Sequence, residues 1–536
     1  MKTSDYIIQF LEEHGITDVF GYPGVGCGHF MNSMKSSSIK SHMVYHEQAA
    51  AFAACSYAQA AHKVGIAYTT AGPGATNLVT GIANAYCDSI PTVFIVGDKD
   101  YASLRKSYNV RQLTSQEINI VDITKPVTKM SLMITDEHDI KYYLEKAFYI
   151  AQEGRPGPVM LDIPSDIQRA NIDVDSLRGF DAPAIPDYSQ EVSFILDAFK
   201  TAKHPVVLIG NGVKQAELDA MIGDWTIKNN IPVVTTLIAN DLLTDHHNVY
   251  GFIGMDGNQA ANRIVGECDL ILTLGARLNF KQVTIHRENF AKNARIIRVD
   301  ADENELEVAL RDETKIVADI NYLIPALIKA FNELKTFGKE WIDHCDELKS
   351  NEHIQQSKNQ VADKIVERIS EIVPDGLPIT IDVGSHRRWI MTHFHYKPNQ
   401  RLYQSSGLVS MGYSLPACMG AYHATHKPVI CFNGDGGLMM NVQELQSIHR
   451  DKLPVTVIVL NNNVLGDIME FQKKIFDGNY FTTTETTGYE SANFELIAKA
   501  FGLPYHKVLK VEDLDCITLG TDQPQLIEVV VPSNVE

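Results

Sequence analysis

This sequence predicts an α/β protein whose parallel sheets are covered by helices on both faces, and three observations carry that prediction. Short Val/Ile/Leu-rich runs alternate with segments of helical periodicity along the chain: GIAYTT, TVFIVGD and PVMLDIP early, then PVVLIG, PVVTT, LILTLGA and RIIRVD, then PVICFNG and VTVIVL. Strands that are apolar throughout, separated by helices, are those of parallel sheets buried on both sides. A length of 536 residues exceeds what a single hydrophobic core organises, so two or three domains are expected. Two stretches without sustained periodicity, 173–190 with Pro183 and Pro186 and the polar 336–358, read as linkers. They leave ranges 1–172, 190–335 and 358–536, for which three Rossmann-like α/β domains are the simplest answer.

In the first range, Ser4 is placed to cap a helix with Ile7, Ile8 and Leu11 on its apolar face, and Gly15 to stop it. The strand DVFG then runs into a Gly-rich turn containing Gly24 and Val25. A second strand, HMVYH, delivers Glu47 to the first turn of an Ala-rich helix, where a carboxylate is ordinarily only a partner of the helix dipole. One helix later, AYTTAGPGATN sets Gly72, Pro73 and Gly74 in a backbone-accessible turn, with Asn77 opening the next helix.

The stretch from Pro428 to Asn463 is the most informative. It reads as strand, Gly434-Asp435-Gly436-Gly437, a helix NVQELQSIHR of about three turns, a second strand, and Asn461-Asn462-Asn463. Right-handed crossover of such a βαβ unit sets both strands parallel, so the two polar ends meet at one sheet edge. Gly434 and Gly436 let backbone approach a ligand, while Asp435 and Asn462 offer hard oxygen atoms suited to a small divalent cation holding a diphosphate. Taken singly, Gly-Asp-Gly is a common turn and a paired Asn a common cap; their joint spacing is what points to a site.

Composition excludes other classes. The chain carries 47 basic and 66 acidic residues, a net charge of −19 that argues against nucleic-acid and anionic-membrane surfaces. Eight cysteines without CxxC spacing read as buried free thiols of a reducing compartment rather than a zinc site. The N-terminus MKTSDYIIQFLEEHG carries acids within its apolar periodicity and is no signal peptide, and the least-charged long window, Val64 to Cys87, is interrupted by Gly72-Pro73-Gly74. The expectation is a cytoplasmic protein.

The helix start HEQAAAFAA, the turn GPGATN, DSIP before a strand, GRPGPVMLDIP at 154–164, GLVSMGYSLPA at 407–417 and the Gly-Asp-Gly unit together resemble thiamine-diphosphate enzymes of the acetolactate synthase-like branch, over essentially the full chain. The resemblance implies a pyrimidine-binding first domain, a central domain and a diphosphate-binding third domain. It makes Glu47 the acid that hydrogen-bonds the cofactor's aminopyrimidine, and Gln116 a second catalytic residue. Asp435, the Asn462 side chain and the Val464 carbonyl would complete a Mg2+ site. Gly24, Val25, Pro73, Asn77, Ser385, His386, Val409, Met411, Gly434, Gly436 and Gly437 match cofactor contacts, with Met411 the wedge that folds the cofactor. The family further implies a homodimer or homotetramer with active sites shared between subunits.

The substrate end departs from the pattern. Val25 stands where the family has glycine, Ser115-Gln116 lacks an aromatic wall, Ser165 replaces a lysine, Lys281 stands where an arginine would grip a carboxylate, and Phe471 replaces a tryptophan. Arg to Lys removes a bidentate fork. The pocket Val25, Ser115, Gln116, Lys281 and Phe471 is thus rewritten around an unaltered cofactor shell. The implied reaction is decarboxylation of a 2-oxo acid, most simply pyruvate, with transfer of the acyl-anion equivalent to a carbonyl acceptor. Simple decarboxylation is the alternative, and a non-catalytic regulatory homologue a weaker one. FAD, held in the central domain by biosynthetic relatives, is not favoured, because the stretches at 277–281 and 299–302 are altered.

Overall fold

The computed structural model of the chain describes residues 1–104, 109–331, 336–352 and 359–533. Three six-stranded parallel sheets organise it, each flanked by helices. The first holds β1 (Asp18–Gly21), β2 (Lys40–Met43), β3 (Gly65–Thr70), β4 (Thr92–Asp98), β5 (Met130–Met133) and β6 (Pro158–Pro164), ordered β2-β1-β3-β4-β6-β5. The second holds β7 (Pro205–Ile209), β8 (Val233–Thr235), β9 (Val249–Phe252), β10 (Leu270–Leu274), β11 (Arg295–Asp300) and β12 (Glu313–Val317), ordered β9-β8-β7-β10-β11-β12. The third holds β13 (Pro378–Ile381), β14 (Arg401–Gln404), β15 (Val429–Gly434), β16 (Val455–Asn461), β17 (Tyr505–Val508) and β18 (Gln525–Val530), ordered β14-β13-β15-β16-β18-β17.

The middle sheet has the doubly wound dinucleotide-fold order, whereas the first and third share a different order with each other. In all three the order reverses at the opening strand: at β1/β3, at β7/β10 and at β13/β15. Connections leave those neighbouring strands in opposite directions and open a crevice beyond their carboxyl ends, where doubly wound sheets bind ligands. These crevices predict where function sits.

Two compact units result, one of Met1–Pro183, Ser357–His395 and Leu402–Glu536, the other of Ala184–Gln356 and Tyr396–Arg401. Within the larger unit, the helices Glu47–Ala61 and Ser414–Thr425 pack the first and third sheets onto one shared core. The Ala-rich composition has its reason here: a Cβ on Gly420 would fall 2.0 Å from the Ala53 carbonyl oxygen. Ser56 Oγ donates to the Ala417 carbonyl at 2.6 Å, and Phe52 meets Tyr413 edge to face at 5.2 Å. The smaller unit has its own core around Phe199, Trp225, Leu272 and Phe331, and buries the Lys214–Asp241 ion pair at 2.6 Å.

Several elements differ from the sequence reading. The first helix starts at Thr3 with Lys2 at its cap, and Ser4 lies inside it with its hydroxyl 2.9 Å from that of Ser33; a buried polar partner on a neighbouring helix outweighs capping. Gly15, with φ of 70°, does end that helix. The second strand is Lys40–Met43, ending before Val44. The stretch 336–358 is no bare linker: Trp341, Ile342, Cys345 and Leu348 recur at helical spacing and bury one face of the helix Glu340–Ser350. Residues 353–358, and the range limits at 335, 358 and 534–536, lie outside the described residues. Of the stretch 173–190, residues 181–187 are exposed and carry no regular element, whereas Val174–Ser176 form a 3-10 turn, Leu177 is buried in the core of the first sheet, and a helix begins at Ser189. All eight cysteines are free, six of them buried. Among the described residues no helix is long and apolar enough to cross a membrane.

On the face of the first sheet turned to the shared core, Asp98 and Asp162 lie buried on adjacent strands, and both Asp162 oxygens lack hydrogen-bond partners. Burial, and then mutual repulsion, raises the Asp162 carboxyl well above the ordinary range; burial likewise raises Asp98. The folded chain therefore holds protons that the unfolded chain has released, so stability falls as pH climbs above the ordinary carboxylate range. Asp162→Asn should flatten this slope: its urea midpoint should gain on wild type between pH 5 and pH 8, and equal slopes would show that the pair ionises without cost.

Candidate functional site

At the third-sheet reversal, β13 runs into Asp382 and Gly384, and the helix Ser385–His393 begins. Its neighbour β15 ends at Gly434, and a five-residue helix Asp435–Met439 begins there at once. His386 is folded back over this strand end: a Cβ on Gly434 would fall 2.9 Å from its Nδ1, so only glycine fits. Burial pushes the His386 imidazole down to about 4, which keeps it neutral, and its Nε2 is buried without a hydrogen-bond partner. Asp435 is 4% exposed, and burial pushes its carboxyl up to about 6 although the Tyr489 hydroxyl donates to its Oδ2 at 3.0 Å.

β16 lies beside β15 with Leu460 opposite Gly434, so Asn462 and Val464 follow at the same rim. Asn463 takes a left-handed conformation with φ of 55°, and the Val464 N–H points back to Asn462 Oδ1 at 3.4 Å. The sequence reading thus holds for the βαβ pairing, and its helix differs at the start: the stretch is a 3-10 turn, Val442–Glu444, running into the short helix Leu445–Arg450, and Asn441, with φ of −136°, lies outside it. Its side chain donates instead to the Gly412 carbonyl at 2.8 Å.

Over this rim passes the loop with Val409 and Met411. Val409 and Gly412 have φ of 59° and 79°, so two left-handed residues bracket Ser410-Met411; for a β-branched residue that conformation is strained. Buried groups hold both ends. The Ser410 N–H donates to Ser405 Oγ at 2.8 Å, and the Gly412 N–H to both oxygens of Asp382 at 2.8 and 3.1 Å. Burial pushes the Asp382 carboxyl up to about 7, against the pull of the Val383, Gly412 and Tyr413 amides. The Met411 side chain ends beside Gly436: a Cβ there would meet Met411 Cε at 3.8 Å.

The second group of residues gathers at the first-sheet reversal. Glu47, 9% exposed, opens the helix Glu47–Ala61, and Asn77 Nδ2 donates to its Oε2 at 2.9 Å. Pro73 is the first helical residue rather than part of a turn, a position where its missing N–H costs nothing. Gly24 is pressed onto Thr70, and Gly26 onto Gly97, with a Cβ on Gly26 falling 2.1 Å from the Gly97 oxygen. This close approach turns the Val25 side chain outward, 81% exposed. Gln116 is exposed and left-handed, against Gly72, and Ser115 beside it is exposed.

The remaining substrate-pocket candidates are Phe471 and Lys281. Phe471 is 53% exposed on the helix Gly466–Ile475, edge to face with Phe476, and Lys281 is exposed on the short helix Phe280–Val283 of the smaller unit. Ser385 Oγ donates to Asp467 at 2.8 Å. Sequence reasoning missed Asp382, whose position at a strand end just ahead of Gly384 mirrors Asp435. It also missed Asn441, hidden in an apparent helix, and Tyr489, which no local pattern marks.

One other cluster, Asp18, His42 and His423, brings its ligand atoms within 4.8 Å of one another. The two imidazoles stack with centroids 3.5 Å apart and planes at 24°, so their in-plane lone pairs run nearly parallel and do not converge on an ion. His42 pairs with Asp18 at 2.7 Å, and burial pushes His423 down to about 3.

The donor set at the third-sheet rim fits a hard divalent cation: a carboxylate from Asp435, an amide oxygen from Asn462 and the Val464 carbonyl are oxygen ligands of the kind such ions take. The partnerless Nε2 of His386 fits an oxygen acceptor of the phosphate type beside them.

Comparison with known proteins places the chain in a family. Three family models match: "Thiamine pyrophosphate enzyme, N-terminal TPP binding domain" at residues 1–123, the corresponding central domain at 192–327, and the C-terminal TPP binding domain at 382–529. The chain is 31% identical over 540 residues to acetolactate synthase isozyme 2 large subunit of Escherichia coli K12, covering 99% of this chain and 96% of that protein. It is 31% identical to the acetolactate synthase large subunit of Lactococcus lactis, covering 98% and 92%, and 33% identical to the chloroplastic acetolactate synthase 1 of Zea mays, covering 99% and 85%.

A Cβ on Gly437 would lie 2.6 Å from Asp382 Oδ2, whereas one on Gly28 meets nothing within 4 Å. Gly437→Ala should therefore destabilise the larger unit by about 1–3 kcal/mol and Gly28→Ala should not. Chemical denaturation of the two variants checks this, and equal midpoints would show that the Asp382 pocket yields freely.

Proposed function

The chain belongs to the thiamine pyrophosphate enzymes, in their acetolactate synthase-like branch, and from that premise we propose that it decarboxylates a 2-oxo acid, most simply pyruvate, and passes the two-carbon unit to a carbonyl acceptor. The observation that carries this reading is the third-sheet rim, where Asp435 and Asn462 stand at neighbouring strand ends and His386 leaves Nε2 unpartnered.

In this reading Asp435, Asn462 and the Val464 carbonyl hold Mg2+. His386, Ser385 and the Gly434–Gly437 backbone hold the diphosphate. When bound, thiamine diphosphate supplies the carbanion-stabilising chemistry that a 2-oxo acid needs to lose carbon dioxide. Glu47 holds a proton toward the ring nitrogen of the aminopyrimidine, and Asn77, bonded to the same carboxyl, fixes its orientation. Met411 shapes the cofactor from the opposite rim. Val25 and Gln116 border the reacting end, and Phe471 and Lys281 extend the acceptor side. FAD has no part in the proposal, since the stretches 277–281 and 299–302 depart from the pattern that would support it. The assembly is a homodimer or a homotetramer, each site combining Glu47 of one subunit with Asp435 of the other.

Protein supplied with thiamine diphosphate and Mg2+ should release carbon dioxide from pyruvate and form a 2-hydroxy-2-methyl-3-oxo acid. Release of free aldehyde alone would favour simple decarboxylation instead, and no carbon dioxide from any of a panel of 2-oxo acids would overturn the reading. Asp435→Ala should abolish cofactor retention in calorimetry, because it removes the one charged ligand from an ion that demands near-octahedral geometry; binding at wild-type affinity would refute the metal assignment. Glu47→Gln should retain the cofactor while hydrogen–deuterium exchange at its C2 carbon slows by a factor on the order of 10²–10⁴. An unchanged exchange rate would reduce Glu47 to a helix-dipole partner.

A further inference from the structure

We propose that Asn441 is a positioning residue that ties the helix carrying Glu47 to the loop carrying Met411; the inference rests on the function proposed above. Asn441 is 1% exposed. The two protons of its Nδ2 are shared between the Gly412 carbonyl at 2.8 Å and Gln48 Oε1 at 3.2 Å, and its Oδ1 accepts from Gln443 Nε2 at 3.2 Å. One arm thus ends on the residue after Met411, the other on the residue after Glu47.

One target is a backbone carbonyl of the loop, the other a side-chain oxygen in the first turn of the helix. Gly412 is left-handed, and a Cβ on it would strike Met440 Cβ at 2.6 Å, so the loop passes close beneath the Asn441 segment. Its N–H, in the peptide that follows Met411, is held by Asp382, and Asn441 takes its carbonyl in the next peptide, so the chain leaving Met411 is restrained at two successive peptides. On the other side, Glu47 is the first residue of its helix, where fraying is greatest. The same segment grips the chain just before it. Glu444, fully buried, accepts the Tyr45 N–H at 2.9 Å, and Ser447 Oγ both donates to Glu444 Oε2 at 2.9 Å and reaches the Met43 carbonyl at 3.4 Å. Residues 441–447 therefore bracket Glu47 from both sides and hold the Met411 loop with the same side chain.

In the proposed assembly Glu47 and Met411 of one chain serve opposite active sites. The bridge through Asn441 is then a mechanical connection between the two sites, confined to a single chain. Displacing either group by about 1 Å is enough to cost on the order of a hundredfold in rate without removing any contact to the cofactor phosphates.

Asn441→Ala and Gln48→Ala test this, each compared with wild-type holoenzyme in thiamine diphosphate affinity with Mg2+, C2 hydrogen–deuterium exchange and urea midpoint. Slower exchange in both variants, by about tenfold or more in Asn441→Ala, with cofactor affinity retained within about threefold, supports the tie. Should Asn441→Ala fail to fold, Gln48→Ala, which removes only the helix-side arm, carries the test. Slowing confined to a folded Asn441→Ala, or wild-type exchange in both variants, overturns the inference while leaving the function intact. Wild-type protein that leaves C2 exchange at the rate of free cofactor overturns the functional reading and this inference with it.

Discussion

Everything at the candidate site depends on how closely neighbouring strand ends approach one another where strand order reverses. In the first sheet the turn after β1 lies on the end of β3 with Gly24 against Thr70, and in the third the turn after β13 folds His386 onto Gly434. The middle sheet does the same with Gly210 against Gly275, where a Cβ would fall 2.2 Å from a carbonyl oxygen. Any side chain would force these ends apart. The glycines let the backbone close up, and closing up is what turns Val25 outward and buries His386 beside Asp435. Fold and site are consequences of the same steric condition.

Much of this was legible in the sequence because the central strands are buried on both faces and read as unbroken apolar runs. Three of the edge strands were not. MSLM of β5, ETKIV of β12 and YHKV of β17 are short, with polar or half-exposed residues that carry no strand period. The Gly-Asp-Gly and Asn-Asn spacing located the third-sheet rim because it reflects a βαβ unit of fixed geometry. The start of its helix was misread because Asn441 bonds a loop distant in sequence, a tertiary demand that periodicity cannot register. Asp382 and Tyr489 were invisible for the same reason, as both act through partners 30 or more residues away.

The two groups of candidate residues also differ in how firmly they are built. Around Asp435 the side chains of Asp382, His386, Asn441 and Asn462 are buried, and the exposed loop with the strained Val409 is held at both ends. The substrate-side residues Val25, Ser115, Gln116, Lys281 and Phe471 are all exposed. The contrast matches the sequence, in which the cofactor shell follows the family pattern and the acceptor side departs from it. A rigid cofactor frame with an adaptable rim is how one fold takes different substrates without altering its chemistry.

Glu47 and Asp435 stand on different sheets of one unit, and the proposed reaction needs both at one cofactor, supplied by two chains. The measurement that tests this most directly is activity of an isolated heterodimer formed from Glu47→Gln and Asp435→Ala chains. Sites shared across a two-fold axis leave one site with both substitutions and one with neither, so roughly half of wild-type activity should return. A heterodimer that stays inactive while both chains are folded and dimeric would place each site within a single chain and contradict the account.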